Sequence, residues 1–559
     1  MSYPYMPSAG KVPPHPVAGA PLLCNAREHG LIGDGATNDQ PAFAALVDQL
    51  GDAFAADGRV RVIYCPPGVY SIRDAGTVWR SGFSLIGAGP GATRFVLSNS
   101  GNRADPTPLA FYTAALHGAD RERYLADCTF ADFEIDGSGV PSADYSPLAK
   151  GLGVQYVVRG VFRNLYIHHT GATGLGCDFL QDCLIDGVLV VGCGRLDNGT
   201  EMGGAGIGIG VGGWGSVERA NIINCSAFSN GTHGIFLELQ EAGELRPRGF
   251  RVIGCHAQGN QCGISDWGAN GLIVSACTMT GNLEAGFHVS ARGTTGTAGK
   301  GGILTDCVID GNVRDGVSIG NTPGPYTIRG NRISGNGQHG YHQHSQDGTE
   351  PECVREIVID SNDFYGNSLD AIRIDEPITD AIIVNNRIRG NGRRCGAVAQ
   401  GRGESVRYSA KQVIDRRAEW QNDEHRGKVV RVGDRFAQVA ANDSTTLTLA
   451  PIRPDEFTGW SADVPTPGTP YELPAAPPIR AGITVNVALD SASIRGNRIW
   501  DGRRPAAQTH GFWITERGSC VDCRVEDNDL AGNAEGPTRL DTPPIGGRWE
   551  RNHGDQDWD

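Results

Sequence analysis

The chain has 559 residues, of which 39% are hydrophobic and 7% aromatic, so its core has few large side chains. Net charge is −14, and the basic residues are 44 arginines and 5 lysines spread along the chain, which disfavours general affinity for nucleic acid. No apolar run is long enough to span a bilayer, so neither a nucleic-acid nor a membrane partner is expected.

Residues 1–26 contain scattered Pro and Tyr and no apolar h-region, so they read as an extension without a Sec signal. Cytoplasmic synthesis, with virion association or export by a non-Sec route, is the matching expectation. The 15 cysteines, odd in number, argue for reduced and buried thiols over a disulfide framework. Cys520 and Cys523 form a lone CxxC without a second pair, which favours strand positions over zinc, and no metal ligand set is assigned.

Next in the chain, Asp39 is placed to cap a helix with Pro41 in its first turn. Phe43, Leu46, Val47, Leu50 and Phe54 would share its buried face. Such a helix would close the first turn of a solenoid whose strands begin at Val60.

Repeats then govern the sequence. Asn230, Asn260, Asn282, Asn312, Asn336, Asn367, Asn391 and Asn533 each follow a Cys or Asn by five positions: Cys225, Cys255, Cys277, Cys307, Asn331, Asn362, Asn386 and Asn528. Up to Asn391 the period is 22 to 31 residues, short for a βαβ unit and suited to one coil of a parallel β-helix. Like residues would stack, Cys on Cys and Asn on Asn, with the amides passing hydrogen bonds from coil to coil. The fold class expected is all-β: a right-handed parallel β-helix of about 10 to 12 coils, with an N-terminal capping helix and a small inserted β-module.

At residues 27–401 the helix and its cap are expected. The ladder is lost over 402–481, where KVVRVGDRFAQVAANDSTTLTLAPI has hairpin or small-barrel character and a Pro-rich linker follows. Coils resume over 482–559 and run to about Asn533, with a loose cap from Ala534.

GLIGDGATNDQPAF from Gly30, CPPGVYSI from Cys65 and LIGAGPGAT from Leu85 resemble the opening of pectate-lyase-like right-handed β-helix proteins. That superfamily includes polysaccharide lyases, polygalacturonases, mannuronan epimerases and phage tailspikes, so the resemblance implies a polysaccharide partner. It does not carry over a catalytic set. GLGCDFLQ from Gly174 lacks the Asp-Pro-His-Glu quartet of the epimerases, and the paired aspartates and Arg-x-Lys of polygalacturonases are missing. Calcium remains open as a cofactor, with no motif to hold it, and a homotrimer is a possible assembly.

Strand alternation yields an outward column, read coil by coil: Gly176 and Asp178, Gly208 and Gly210, Phe236 and Glu238, Ser265 and Trp267, His288 and Ser290, Ser318 and Gly320, His342 and His344, Arg373 and Asp375, then Trp513 and Thr515. Loops from Gln240, Ala291 and Ser345 could wall it. His342 or His344 could act as general base or acid, with Asp375 fixing the tautomer, Arg373 or Arg292 offsetting a substrate carboxylate and His288 two coils before His342. A solvated polar face is the competing explanation. Glu238 beside Trp267 suggests a carboxylate with a sugar platform, and Asp178, Trp513 and Trp214 are weaker candidates. Asp266 falls on the inward side.

The activity expected is cleavage of a long, acidic polysaccharide by β-elimination. Hydrolysis by a Glu/Asp pair, as in a tailspike depolymerase, and a non-catalytic phage-tail or glycan-binding role remain alternatives. Replacing His342 or His344 is expected to remove turnover and leave folding intact.

Overall fold

The computed structural model describes residues 22–99, 107–140, 146, 148–194, 204–241, 249–291, 299–345, 354–392, 399–451, 458–473 and 479–554. The chain divides into two units, the first formed by Met1–His256 with Asp266–Ile273, the second by Ala257–Ser265, Val274–Ala291 and Ala298–Asp559.

In the first unit parallel strands stack so that one side chain per coil lands on its equivalent: Ile63 on Leu85, then Phe130, Phe162, Ile185, Ile222 and Val252. All are buried. A two-residue alternation in every strand thereby becomes one continuous apolar column. The helix Gln40–Asp57 buries Phe43, Leu46, Val47, Leu50 and Phe54, the face expected from sequence. Asp39 occupies the N-cap position without capping through its side chain. Its carboxylate instead accepts the N–H groups of Ile32, Gly33 and Ser71, which ties the entering loop to a strand.

In the second unit Phe287, Val317, Tyr341, Ile372, Ile483 and Phe512 form the corresponding inward column. Beside it run two amide ladders. Asn260, Asn282, Asn312, Asn336, Asn367 and Asn391 follow one another, each giving its backbone N–H to the Oδ1 of the next at 3.0–3.1 Å. Each Nδ2 donates to that same oxygen, and most donate also to a carbonyl of the preceding coil, as Asn312 does to Met279 at 3.2 Å. The parallel ladder passes from Cys277 and Cys307 to Asn331, Asn362, Asn386, Asn497, Asn528 and Asn552. The thirteen cysteines among the described residues are all free.

The residue before the ladder Asn or Cys is left-handed in both ladders: φ is 60° at Gly281, 64° at Gly311 and 62° at Gly335 in the first, and 53° at Ala276, 55° at Asp306, 57° at Ser361 and 56° at Asn385 in the second. Only glycine adopts that conformation without steric cost, which accounts for the Gly-Asn pairs of the first ladder, while Ala276, Asp306, Ser361 and Asn385 hold it at a cost in the second.

Two details differ from expectation. Ladder positions Asn497 and Gln508 lie eleven residues apart instead of five, because Asp501 closes an intervening loop by accepting the N–H groups of Ala507 and Gln508. The segment after Ala534 is not a loose cap. Gly536–Leu540 pairs with His510–Ile514 and Arg548–Glu550 with Arg524–Glu526, continuing the parallel stack.

Within the second unit, seven antiparallel strands between Ala399 and Leu473 form a separate sheet around Val406, Val413, Val430, Val439, Leu447, Leu473 and Trp460. Over this insertion the coils close directly, Ile372 pairing with Ile483.

Replacing Asn312 by alanine would strip Asn282 of the acceptor for two buried donors. The expected loss is on the order of 2–4 kcal/mol, read as a lower urea midpoint with unchanged slope. An unchanged midpoint would show that the ladder does not carry stability.

Candidate functional site

The outward neighbours of the second unit's apolar column also stack in register: His288, Ser318, His342, Arg373, Thr484 and Trp513. Thr484 is the member that sequence reading omits, since it follows the insertion. Around His342 this row becomes a compact charged cluster.

His342 Nδ1 lies 3.1 Å from Asp315 Oδ2 and its Nε2 lies 2.9 Å from Asp375 Oδ2. A ring between two carboxylates donates from both nitrogens and is an imidazolium. Burial works against that charge, but Asp315 and Asp375 outweigh it and raise the His342 pKa to about 9. Burial likewise works against ionisation of Asp315 and Asp375, and the imidazolium holds both well below the usual carboxylate range. Asp375 is further bound by Arg373 Nε at 2.9 Å and Asn486 Nδ2 at 2.8 Å. Arg373 Nη1 reaches Asp370 at 3.4 Å, and its Nη2 makes no hydrogen bond among the described residues. Burial pushes the Asp370 pKa up.

His342 therefore has no lone pair to offer and cannot be the base, which corrects one of the two roles open to it from sequence. His344 differs. Its Nδ1 faces the carbonyl oxygen of Ser345 at 3.1 Å, and its Nε2 faces Ser318 Oγ at 2.8 Å. Burial, helped by the charge of His342 with ring centroids 4.6 Å apart, lowers the His344 pKa and keeps the ring neutral. The assigned tautomer has the proton on Nδ1, with Nε2 accepting from the Ser318 hydroxyl.

Asp315, His339 and Asp370 were missed because alternation puts them on the inward side, in phase with Val317, Tyr341 and Ile372. Asp315 opens its strand and His339 and Asp370 lie two residues before theirs, where the chain is still turning, and Asp315 and Asp370 reach the cluster from there. His339 Nδ1 lies 3.8 Å from Asp370, and burial together with His342 lowers the His339 pKa to about 3. The available signal was the repeated Asp or His immediately before the second strand. His288 is buried in the row beside Ser318. Arg292 and most of the loops expected to wall the groove lie outside the described residues.

The first unit holds the other group of candidates. Glu238 and Trp267, with Phe236, Lys150, Asp178 and Gln240, line a cavity of about 270 Å³ floored by Gly176, Gly208 and Gly210. Asp178 is buried and fixed: Gly210 N–H donates to it at 2.7 Å, Gln155 at 2.9 Å, and Lys150 Nζ lies 3.9 Å away. It thus serves as a strut and is not available as a mobile acid. Trp267, half-buried at the cavity wall, packs edge-on against Phe236 and His233, each at 5.1 Å. Trp513 donates to Asp541 at 2.8 Å beneath Arg539. Trp214 is buried and donates to the Phe179 carbonyl. Asp266 is fully buried and accepts from Gly268 and Ala269 N–H.

The same geometry sets a different expectation for removal of His342, since its ring joins Asp315 and Asp375 within the fold. Its folded pKa, about 9, lies above the ordinary value of 6.5, so its contribution is complete below pH 6.5 and is lost as pH rises through 9. Stability of the second unit is expected to fall by about 3 kcal/mol across that window. His342→Asn should flatten the profile and be less stable at pH 6, as denaturant titrations at several pH values will register. A parallel, undiminished pH dependence in the variant would refute the assignment.

Residues 202–353 match the right-handed β-helix region family. A stretch of 75 residues is 37% identical to mannuronan C5-epimerase AlgE3 of Azotobacter vinelandii, covering 12% of this chain and only 4% of that protein's length. Among solved structures, the A-module of Azotobacter vinelandii mannuronan C-5 epimerase AlgE4 aligns at 15% identity and TM-score 0.40, over 94% of this chain and 99% of that one. An N-terminal fragment of bacteriophage phi29 gene product 12 aligns at 12% identity and TM-score 0.48, over 96% and 72%. Yersinia enterocolitica family 28 exopolygalacturonase aligns at 12% identity and TM-score 0.45, over 66% and 75%. With its strands paired in parallel from coil to coil and its central segment matching that family, the chain is a right-handed parallel β-helix protein.

Proposed function

We propose that the protein binds a long, uronate-bearing polysaccharide along the outward row of the second unit and cleaves it by β-elimination, with His344 as the base. One observation carries this: within the charged cluster a ring nitrogen of His344 faces the Ser318 hydroxyl, while the adjacent His342 is locked as a cation between carboxylates. Its Nε2 takes the proton from the carbon beside the substrate carboxylate, directly or through Ser318 Oγ. The electron pair left behind forms the carbon–carbon double bond as the bond to the leaving sugar oxygen breaks. That oxygen then collects the proton from the His344 imidazolium. Arg373 Nη2 and the His342 charge offset the substrate carboxylate, whose negative charge grows during the step. The 75-residue likeness to a mannuronan C5-epimerase agrees with a uronate-bearing glycan.

A hydrolytic reading is supported by Glu238 at the glycine-floored cavity, although Asp178, the carboxylate beside it, is tied up by Lys150, Gln155 and Gly210. Polyuronates incubated with the protein should gain the ultraviolet absorbance of an unsaturated uronate in step with new reducing ends. His344→Ala should lower that rate by about 10²–10⁴-fold with an unchanged melting temperature. Reducing ends without absorbance would replace elimination by hydrolysis, and retained binding without either would make the protein an adhesin.

The pH profile follows from the two imidazoles. Activity requires His344 neutral and His342 charged, so the acid limb should lie below pH 6.5 and the alkaline limb near 9. An alkaline limb that survives in His342→Gln would show that another group sets it.

A further inference from the structure

The inserted sheet of the second unit has a cavity of its own, about 990 Å³, lined by Arg402, Arg417, Arg431, Trp420, Tyr471 and Glu472 among others. That volume sits at the upper end of the roughly 300–1,000 Å³ range of small-molecule sites. Each polar group on its wall has a traceable partner or none. Asp415 is buried and engaged, accepting the Tyr471 hydroxyl at 3.0 Å and the Arg417 backbone N–H at 3.0 Å. Glu472 stands opposite Arg431 and Gln400 in strand register.

The three guanidinium groups make no hydrogen bond or ion pair among the described residues. Many other arginines of the protein are held by carboxylates, among them Arg159 by Asp127, Arg219 by Asp182 and Arg551 by Asp527. In a chain of net charge −14, three guanidiniums on one cavity outnumber the two carboxylates of its wall, Asp415 and Glu472, and leave a local positive excess. Guanidinium donors match carboxylate oxygens in pairs, and Trp420, half-buried with its ring 6.4 Å from that of Tyr471, adds an aromatic surface of the kind on which a sugar ring packs.

We propose that this cavity is a second glycan-binding site, specific for a short acidic oligosaccharide segment: carboxylates pair with Arg402, Arg417 and Arg431, and a ring face lies against Trp420. The choice of a uronate as ligand rests on the proposed function of the coil row; the cationic, aromatic cavity does not. The module would hold the polymer near the coils by multivalency, raising avidity without new contacts in the row.

The test uses the full chain carrying His344→Ala, so that bound substrate is not consumed, titrated calorimetrically with trimannuronate and trigalacturonate. Binding at two sites is expected. Adding Arg402→Ala, Arg417→Ala and Arg431→Ala together should remove one site or weaken it by about tenfold or more. Trp420→Ala should weaken the same site, and carboxyl-reduced, neutral trisaccharides should not fill it. The arginines are exposed, and an unchanged melting temperature will certify the fold. Equal binding by the triple-arginine variant, or equal binding of the neutral sugars, overturns the proposal. Displacement by single-stranded DNA at lower concentration than by either uronate also overturns it, in favour of a nucleic-acid ligand. Failure of the coil row shows differently: no elimination by the parent protein on any polyuronate, while the arginine-dependent site still fills.

Discussion

An asparagine side chain that accepts two hydrogen bonds from the coil before it is the constraint on which the second unit is built. A turn in a solenoid is buried by its neighbours, so its backbone N–H cannot reach water and must find a fixed acceptor. The Asn Oδ1 supplies that acceptor, and the Nδ2 passes the same requirement one coil onward. The amide of Asn312, bonded to Asn282 on one side and Asn336 on the other, is representative. Because each coil satisfies its predecessor, spacing and register are fixed together, and loops of any length can leave between ladder positions.

Fixed register is what turns a sequence pattern into a site. Ser318, His342 and Arg373 are 24 to 31 residues apart in the chain yet occupy neighbouring strands at one level. Two imidazoles on one strand then acquire opposite protonation states from their surroundings alone. His342 lies between two carboxylates, Asp315 buried and Asp375 half-buried, and is a cation, and His344 feels burial and that cation and is neutral. The pairing is self-consistent: the charge on one ring maintains the free lone pair of the other.

How far the sequence disclosed this depends on which physical rule was being used. The five-residue offset from Cys or Asn to Asn survives in eight segments because it counts residues across one invariant turn, so the ladder and the fold class were legible. The parity of a strand was equally safe for Ser318, His342 and Arg373, which lie in its middle. It failed for Asp315 and Asp370, which sit where a turn becomes a strand and where alternation has not begun. It failed also where side chains meet across coils: nothing local to Asp178 announces that Lys150, Gln155 and Gly210 immobilise it, and nothing in Trp267 announces Phe236 and His233 beside it. The last coil escaped notice for want of the five-residue offset, since a single ladder residue, Asn552, marks it.

The closure of the coils over the inserted sheet carries a consequence for how such a chain can change. Asn386 bonds to Asn497 and Ile372 pairs with Ile483 as though the intervening residues were absent. The coil strands on either side of the insertion are held at the spacing of neighbouring strands, about 4.8 Å, by bonds in which the insertion takes no part. That junction is a docking port in the genetic sense: a folded unit whose termini meet at strand spacing can be spliced into it with the strand pairing of the stack intact, and only the sheet's own contacts with the coil turns, Arg426 on the Gly311 carbonyl and Ala450 beside Leu283 and Val313, have to be replaced.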